Sequence, residues 1–248
     1  MAGHNKWSKV KHIKAKEDAK KGKVFSKLAH EITIAAKNGG GDPKANPRLR
    51  SAIDSAKSVS MPKDNIDRAI KKGTGELEGG NIEEIYYEGF APGGVGLIVH
   101  IASDNRNRSA AELRNIFNKN QGSMGATGSV THLFHFNGEI RVPLTALSEE
   151  KILEAALEAG AEDVQADEED HIVITPAEQL GIAANALREA GIEVRSQALV
   201  YIPATSVEVS APETAAQVLK LYEALDDYED TMNVFANFEI PESILESL

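Results

Sequence analysis

The sequence predicts an α+β protein with three domains: an N-terminal helical domain and two α/β domains, the third of which is inserted into the second. Three observations lead to this prediction. The charge changes sign after about residue 75, the hydrophobic period changes from 3.6 to 2 at a glycine-rich linker over residues 73–81, and a regular alternation of strands and helices occupies residues 138–203. Each observation marks a place where one kind of structure gives way to another.

The charge of the chain is divided between its two ends. Residues 1–75 carry 18 Lys and Arg against 7 Asp and Glu, whereas residues 76–248 carry 9 against 31. The formal net charge of −11 therefore conceals a basic N-terminal region. A cationic segment neutralises phosphates and releases their counterions, and an acidic body is repelled by the same polyanion. We therefore expect a nucleic acid as the partner, bound at one end of the molecule.

The composition and motifs argue against several classes of protein. The chain has no Cys, which excludes disulfides, thiolate metal sites and cysteine nucleophiles. The N-terminus has lysines in place of an apolar signal core, and no apolar run approaches the roughly 20 residues that span a bilayer. No nucleotide P-loop, His-Glu-x-x-His motif or nucleophile elbow occurs. We expect a cytoplasmic, non-enzymatic protein with no catalytic residues, metal, cofactor, small-molecule substrate or membrane contact.

The first domain, residues 1–75, is predicted to be helical. Residues 4–23 contain eight lysines and few large apolar side chains, so a helix there would fray without a partner. A second helix covers about 23–37. A third helix begins at Asn46-Pro47, a capping residue followed by a proline in the first turn, and a fourth runs from near Pro62 to Gly73.

The second domain is predicted to be discontinuous, formed by residues 82–136 and 204–248. Its predicted elements are strands at 84–90, 95–102 and 129–136, a helix opened by a capping box at 109–112, a strand at 206–210, a helix at 213–226 opened by a capping box at 210–213, and a strand at 231–238. The last three elements have no sheet of their own. They complete the sheet of the earlier strands if the intervening residues form an insertion.

The inserted domain is predicted over residues 137–203. Its predicted elements are a strand at 138–142, a helix at 148–159, strands at 163–166 and 171–175, a helix opened by a capping box at 175–178, and a strand at 193–202. This β-α-β-β-α-β order is that of a ferredoxin-like domain. We expect the ferredoxin-like class for both α/β domains.

The lysine-rich N-terminal segment is the strongest candidate for a nucleic-acid contact. Trp7 is suited to stack on a base while the neighbouring basic side chains hold phosphates. A solvated basic tail is the structural alternative. The candidate residues of this segment are Lys6, Trp7, Lys9, Lys11, His12, Lys14, Lys16, Lys20, Lys21 and Lys23.

Two pairs of arginines extend the candidate interface. Arg48 and Arg50 follow a helix cap, where the helix N-terminus already attracts phosphate, although they are equally consistent with a plain helix surface. Arg106 and Arg108 lie in the polar run 103–109, and their guanidinium groups suit phosphates or base edges. The alternative for this run is a loop held by its own turns, with Asp104 pairing an arginine.

The glycine-rich residues 121–129 would let a backbone approach a ligand closely. His132 and His135 do not suggest a metal site, because a spacing of three on a strand points them to opposite faces.

The chain resembles the YebC/PmpR family. The resemblance rests on seven segments: Gly3-His-Asn-Lys-Trp7, Lys11-His12, Asp18-Ala-Lys-Lys-Gly-Lys23, Ala45-Asn-Pro-Arg-Leu-Arg50, Met61-Pro-Lys-Asp-Asn65, Tyr87-Glu-Gly-Phe-Ala-Pro-Gly-Gly94 and Asp104-Asn-Arg-Asn-Arg108. It implies three domains with the third inserted in the second, a cytoplasmic location and DNA-binding regulation of transcription. It also implies a link to translation, because a mitochondrial relative is a translational activator and bacterial members assist ribosomes at consecutive prolines.

Two mechanisms therefore remain open. The protein binds promoter DNA and regulates transcription, or it binds ribosomal or transfer RNA and assists peptide synthesis. The lysines read phosphates and not base sequence, which favours the second on physical grounds. An enzyme acting on nucleic acid is a third hypothesis, and Glu17, Asp18 and Glu31 are its only candidate carboxylates near the basic segment.

Overall fold

The computed structural model describes residues 17–78, 81–145 and 148–246, which contain eight α-helices and ten strands. The helices are α1 (Glu17–Gly39), α2 (Pro47–Ser58), α3 (Lys63–Gly73), α4 (Arg106–Lys119), α5 (Glu149–Glu158), α6 (Leu180–Glu189), α7 (Pro212–Asp226) and α8 (Glu242–Leu245). The strands are β1 (Glu83–Ala91), β2 (Val95–Ser103), β3 (Ser123–Met124), β4 (Phe134–Pro143), β5 (Asp163–Ala166), β6 (Asp170–Pro176), β7 (Ser196–Pro203), β8 (Val207–Glu208), β9 (Thr231–Ala236) and β10 (Phe238–Glu239). No helix in the described ranges is long and apolar enough to cross a membrane.

Helices α1, α2 and α3 pack around one apolar cluster that includes Ile32, Leu49 and Ile66. The cap predicted at Asn46 is confirmed. Its Oδ1 accepts a hydrogen bond from the Leu49 amide at 3.0 Å, and its Nδ2 donates to the Ala35 carbonyl of α1 at 2.8 Å. One side chain thus starts α2 and ties it to α1. The helix predicted from residue 23 begins earlier, at Glu17.

Strands β1, β2, β3 and β9 form an antiparallel sheet in the order β3-β1-β2-β9. Helices α4 and α7 cover one face of this sheet, where Leu97, Leu113, Phe117 and Leu221 are fully buried. The burial of such side chains contributes about 2 kcal/mol each, so this cluster is the main apolar core of the region. Strands β8 and β10 form a short parallel pair beside it.

The sheet of β4 to β7 has the order β5-β6-β4-β7, with every neighbouring pair antiparallel. Helices α5 and α6 cover one face, and Ile140, Ile152, Val173 and Leu187 are buried between helices and sheet. The order β4-α5-β5-β6-α6-β7 matches the ferredoxin-like pattern predicted for this stretch. The division of the chain into three domains at the predicted boundaries stays a prediction.

The first sheet departs from the ferredoxin-like order expected for it. Its elements follow the order β-β-α-β-α-β, because β1 and β2 form a hairpin and both occupy the centre of the sheet. A ferredoxin-like sheet separates its first two strands by a helix. The ferredoxin-like assignment is therefore wrong for this region, although its α+β class holds.

Strand β4 also corrects the prediction. The separate strands expected at 129–136 and 138–142 are one strand, Phe134–Pro143, and the predicted boundary between residues 136 and 137 falls inside it. The strand continues through Asn137-Gly138 because β7 pairs with it from Phe134 to Arg141. Ladder hydrogen bonds from a distant strand override the local turn signal.

The three predicted capping boxes are also wrong. Helix α4 begins at Arg106 and not at Ser109, because the Asn105 side chain accepts from the Arg108 amide at 3.0 Å. Helix α6 is preceded by a 3₁₀ turn, and α7 starts at Pro212 after Ala211; neither has a side-chain cap.

Candidate nucleic-acid interface

The lysine-rich segment is only partly described. Lys6, Trp7, Lys9, Lys11, His12, Lys14 and Lys16 lie outside the described residues, and Lys20 and Lys21 lie on α1 with side chains that the structure does not describe. Their predicted role stays a prediction.

Lys23, the last residue of that segment, contacts the acidic part of the molecule. Its Nζ lies 2.5 Å from Asp227 Oδ1, and the Nζ of Lys27 lies 2.9 Å from Asp226 Oδ1. Asp226 ends α7 and Asp227 is its C-cap. Negative charge is unfavourable at a helix C-terminus, so the two lysines of α1 stabilise this end of α7. A nucleic acid would have to compete with the aspartates for both lysines.

Arg48 lies between two carboxylates. Its Nε donates to Glu31 Oε1 at 2.8 Å, and its Nη2 donates to Glu84 Oε1 at 2.9 Å. His100 Nε2 lies 3.1 Å from the same Glu84 oxygen. Burial alone would raise the pKa of Glu84, but the hydrogen bonds with His100 and Arg48 outweigh it and lower the pKa to about 2. Arg48 thus joins α1 and α2 to β1, and its charge is compensated.

Arg50 has different partners. Its Nε and Nη2 donate to the backbone carbonyls of Pro43 and Lys44 at 3.0 and 2.9 Å. These neutral acceptors orient the guanidinium without compensating its charge. Arg50 is exposed, so its charge remains available to an anion at the start of α2.

Arg108 belongs to a polar network around the buried Asp230. Asp230 Oδ2 accepts from Arg108 Nη2 at 2.9 Å and from the hydroxyls of Ser103, Ser109 and Tyr228 at 2.8, 3.2 and 3.2 Å. Burial raises the pKa of Asp230, and the hydrogen bonds with Arg108 and Ser103 reverse this and lower it. Arg108 also pairs with Asp104 at 3.2 Å. The loop is thus held by its own side chains, as the structural alternative describes.

Arg106 lies on the same turn but in different surroundings. Its backbone carbonyl accepts from the Tyr87 hydroxyl at 3.0 Å, which fixes the start of α4 on β1. Its side chain is exposed and makes no ion pair with any residue in the described ranges. Of the two arginines in this loop, Arg106 is the one whose charge is not compensated by a described carboxylate.

The glycine-rich loop 121–129 is organised by an internal anion. The buried Glu88 carboxylate accepts from the amides of Gly128, Val130 and Thr131 at 2.7, 2.6 and 2.9 Å. Burial raises the pKa of Glu88, but these amide hydrogen bonds outweigh it and lower the pKa. This carboxylate occupies the Gly128 amide of the loop and the Val130 and Thr131 amides that follow it, so these three donors are not available to a ligand.

Helix α3 adds cations that the sequence reasoning missed. Its buried side chains include Ile66 and Ala69, whereas its cationic side chains are exposed. The helical spacing of the two isoleucines, Ile66 and Ile70, was the signal that could have found this face. The exposed cations of α3 are Lys63, Arg68, Lys71 and Lys72.

An aromatic strip lies where α2, the first sheet and the sheet of β4 to β7 meet. The rings of Tyr86 and His100 stack with centroids 4.5 Å apart. Tyr201 of β7 follows, 5.6 Å from Tyr86 and 4.8 Å from Phe136. Tyr86 is 37% exposed and Phe136 is 44% exposed. Tyr86 and His100 face each other across the β1–β2 hairpin, but nothing in the local sequence pattern brings Phe136 and Tyr201 to them, because the four rings come from four separate strands.

The structure offers no site for a metal within its described ranges, since no group of three or more His, Asp or Glu side chains there could hold an ion. A cleft of about 310 Å³ separates the two sheets, and its lining includes Arg141, Tyr201 and Phe235. The exposed cations of α3, the exposed Arg50 and Arg106 and the aromatic strip are the described candidates for contacts with nucleic acid.

Comparison with known proteins identifies the family. The model of the TACO1/YebC protein N-terminal domain matches residues 5–76, and the model of the TACO1/YebC second and third domain matches residues 82–238. The chain belongs to the TACO1/YebC family.

Relatives match the chain over its full length. A probable transcriptional regulatory protein of Akkermansia muciniphila is 54% identical over 250 residues and covers both chains completely. One from Aquifex aeolicus is 49% identical, again over the whole of both chains. The crystal structure of a conserved hypothetical protein from Aquifex aeolicus, 50% identical, superposes with a TM-score of 0.84 and covers 94% of this chain and 96% of that one.

Proposed function

We propose that this protein is a non-enzymatic regulator of gene expression that acts in the cytoplasm by binding nucleic acid through its basic N-terminal region. The division of charge along the chain carries the proposal, because 18 of 27 cationic side chains fall in residues 1–75. The names of the relatives, probable transcriptional regulatory proteins, support a regulatory role. The cations of α3 and the exposed Arg50 and Arg106 enlarge the basic surface.

The proposed contact is with phosphates. Lysines on a helix surface bind the backbone of a nucleic acid and carry little sequence information. Affinity should therefore fall steeply with salt and depend weakly on sequence. DNA-binding regulation of transcription is the mechanism that the relatives' names favour. Binding of ribosomal or transfer RNA is the alternative, supported by the lack of an identifiable base-reading helix in the basic region.

The test is charge reversal in the N-terminal segment. The triple variant Lys9→Glu, Lys11→Glu, Lys14→Glu should weaken binding to all sequences alike. The slope of log affinity against log salt should fall by about one unit for each phosphate that the protein no longer neutralises. Fluorescence anisotropy with duplex DNA and with structured RNA, each from about 50 to 200 mM salt, measures both quantities.

A matched control exists in the acidic part of the chain. Lys119, Lys151 and Lys220 are exposed, and their replacement by Glu changes the net charge by the same amount. The control should retain most of the wild-type affinity and salt slope. Equal losses in both triple variants would attribute the effect to net charge and refute the proposed location. Crosslinking in cells then separates the two mechanisms: recovery of promoter DNA indicates transcription, and recovery of ribosomal or transfer RNA indicates translation.

A further inference from the structure

The aromatic strip has features that packing alone does not explain. Tyr86, Tyr201 and Phe136 form a continuous run of rings, with Tyr201 between the other two. Both outer rings are more than a third exposed, and Leu199 beside them is 41% exposed. Leu199 and Tyr201 are two residues apart on β7 and share one face, and Phe136 is the cross-strand partner of Tyr201. Large apolar side chains thus face solvent together at one junction.

Cationic side chains lie at one end of this strip. Arg188 of α6 donates to Gln197 Oε1 at 3.1 Å and to the Ser51 hydroxyl of α2 at 3.2 Å. Both acceptors are neutral, so the hydrogen bonds hold the guanidinium without compensating its charge. Burial and the nearby charge of Arg50 lower the pKa of Arg188. The nearby carboxylate of Asp54 acts on this pKa in the opposite direction. Arg50 precedes Ser51, the hydroxyl partner of Arg188, so two guanidinium groups that suit phosphate oxygens lie at this end of the strip.

The spacing suits a short stretch of nucleotides. Gln197, Leu199 and Tyr201 alternate along one face of β7, so the Arg188 contact lies about 13 Å from the aromatic end of the strip. Rings exposed on a sheet surface and followed by arginines are how proteins hold unpaired bases and their phosphates. The bases of a duplex are already stacked on one another, so they are not free to stack on these rings.

We propose that the aromatic strip binds unpaired bases of single-stranded RNA, with Tyr86 and Phe136 stacking on bases and Arg188 and Arg50 contacting phosphates. The proposal rests on the proposed nucleic-acid function and names the class of ligand for one surface of it. Single-stranded RNA is the occupant because unpaired bases are displayed by RNA loops and ends, whereas cellular DNA is mostly paired.

The test compares a variant that lacks the two exposed rings with a variant that keeps an aromatic ring at position 136. The double variant Tyr86→Leu, Phe136→Leu keeps apolar volume and removes stacking, and its affinity for an unstructured RNA oligonucleotide should fall by about tenfold for each base that no longer stacks on a ring. Phe136→Trp keeps a stacking surface and should bind the oligonucleotide more tightly than the double variant does. Leu157→Ala with Ile182→Ala is the control, because both residues are exposed apolar side chains on α5 and α6; it should leave affinity unchanged.

A direct readout guards against misfolding of the double variant. In a Trp7→Phe background, the indole introduced by Phe136→Trp is the only tryptophan, since the chain has one Trp. Addition of the RNA oligonucleotide should quench its fluorescence at concentrations that match the binding curve. Duplex DNA of the same length should leave this fluorescence unchanged even where it binds.

The outcomes separate this inference from the function on which it rests. Salt-dependent RNA binding by the wild type with no effect of the leucine variants and no quenching overturns the stacking site and leaves the proposed function standing. Equal quenching by duplex DNA also overturns it. An absence of any nucleic-acid binding by the wild type in dilute buffer overturns both.

Discussion

Helices α2 and α3 are consecutive in the chain, and Arg48 of α2 has surroundings opposite to those of the cations of α3. Arg48 of α2 is held by Glu31 and Glu84, and Arg50 folds onto the carbonyls of Pro43 and Lys44. The cations of α3 project into solvent. The comparison shows that the cationic side chains of the basic region serve two different purposes. Arg48 joins the helices to the sheet, whereas Arg50 and the cations of α3 are left for an external anion.

The strongest test of this distinction is Arg48→Met. The variant leaves Glu31 and Glu84 facing each other without the cation between them, and we expect the free energy of unfolding to fall by about 2 kcal/mol, discounted for the partial exposure of the pair. Urea denaturation at pH 7 measures the loss. Combining it with Glu84→Gln should give a double variant less destabilised than the sum of the two singles.

Nucleic-acid affinity is the second readout for Arg48→Met. It should stay close to wild type once the folded fraction is matched, because the Arg48 charge is already compensated. A large loss of affinity in the folded variant would place Arg48 among the residues that bind phosphate and contradict the comparison.

The pH dependence of the same junction gives a smaller effect. The pKa of Glu84 is about 2 in the folded protein against 4.5 for the ordinary group, so the folded state binds the proton more weakly than the unfolded state. Its contribution is complete above about pH 4.5 and is lost as the pH falls towards 2. After allowance for solvent screening it amounts to about 1–2 kcal/mol.

Urea denaturation of wild type and Glu84→Gln between pH 2 and 6 measures this contribution. The difference in stability between the two proteins should be largest near pH 6 and shrink with acidification. A constant difference over this range would show that the ionisation of Glu84 does not stabilise the fold.

The smallest expected effects come from Arg106 and Arg108, the two arginines of the 103–109 loop. Arg108→Ala removes a donor to the buried Asp230, so its melting temperature should fall while nucleic-acid affinity changes little. Arg106→Ala should leave the melting temperature unchanged and weaken binding, with the salt slope lowered by about one unit. Differential scanning fluorimetry measures the melting temperatures, and fluorescence anisotropy measures the affinities. If Arg106→Ala lowered the melting temperature and Arg108→Ala weakened binding, the roles of the two residues would be exchanged.

Features set by neighbouring residues were predictable from the sequence. The Asn46-Pro47 start of α2, the β1–β2 hairpin and the strand order of residues 134–203 depend on caps, turns and hydrophobic period. The Ser109 capping box was wrong because Asn105, four residues earlier, caps the same helix first. The pairing that joins 134–143 into one strand comes from β7, some 60 residues away, and a local pattern contains no trace of it.

The candidate site was less predictable for the same reason. The sequence indicated basic residues, but it could not show which of them have internal partners. Glu84 lies 36 residues from Arg48, and Asp230 lies 122 residues from Arg108. The aromatic strip is built from β1, β2, β4 and β7 and has no sequence motif. Contacts between distant segments decide which side chains remain free, and these contacts exist only in the folded chain.

Strand β4 contributes side chains to the apolar clusters of both sheets. Its first residue, Phe134, is buried with Ile98 and Phe235 of the first sheet, and Ile140 further along is buried beneath α5 and α6. Because one continuous strand packs into both apolar clusters, moving the two sheets apart would expose side chains of β4 that are now buried, and this exposure carries a free-energy cost.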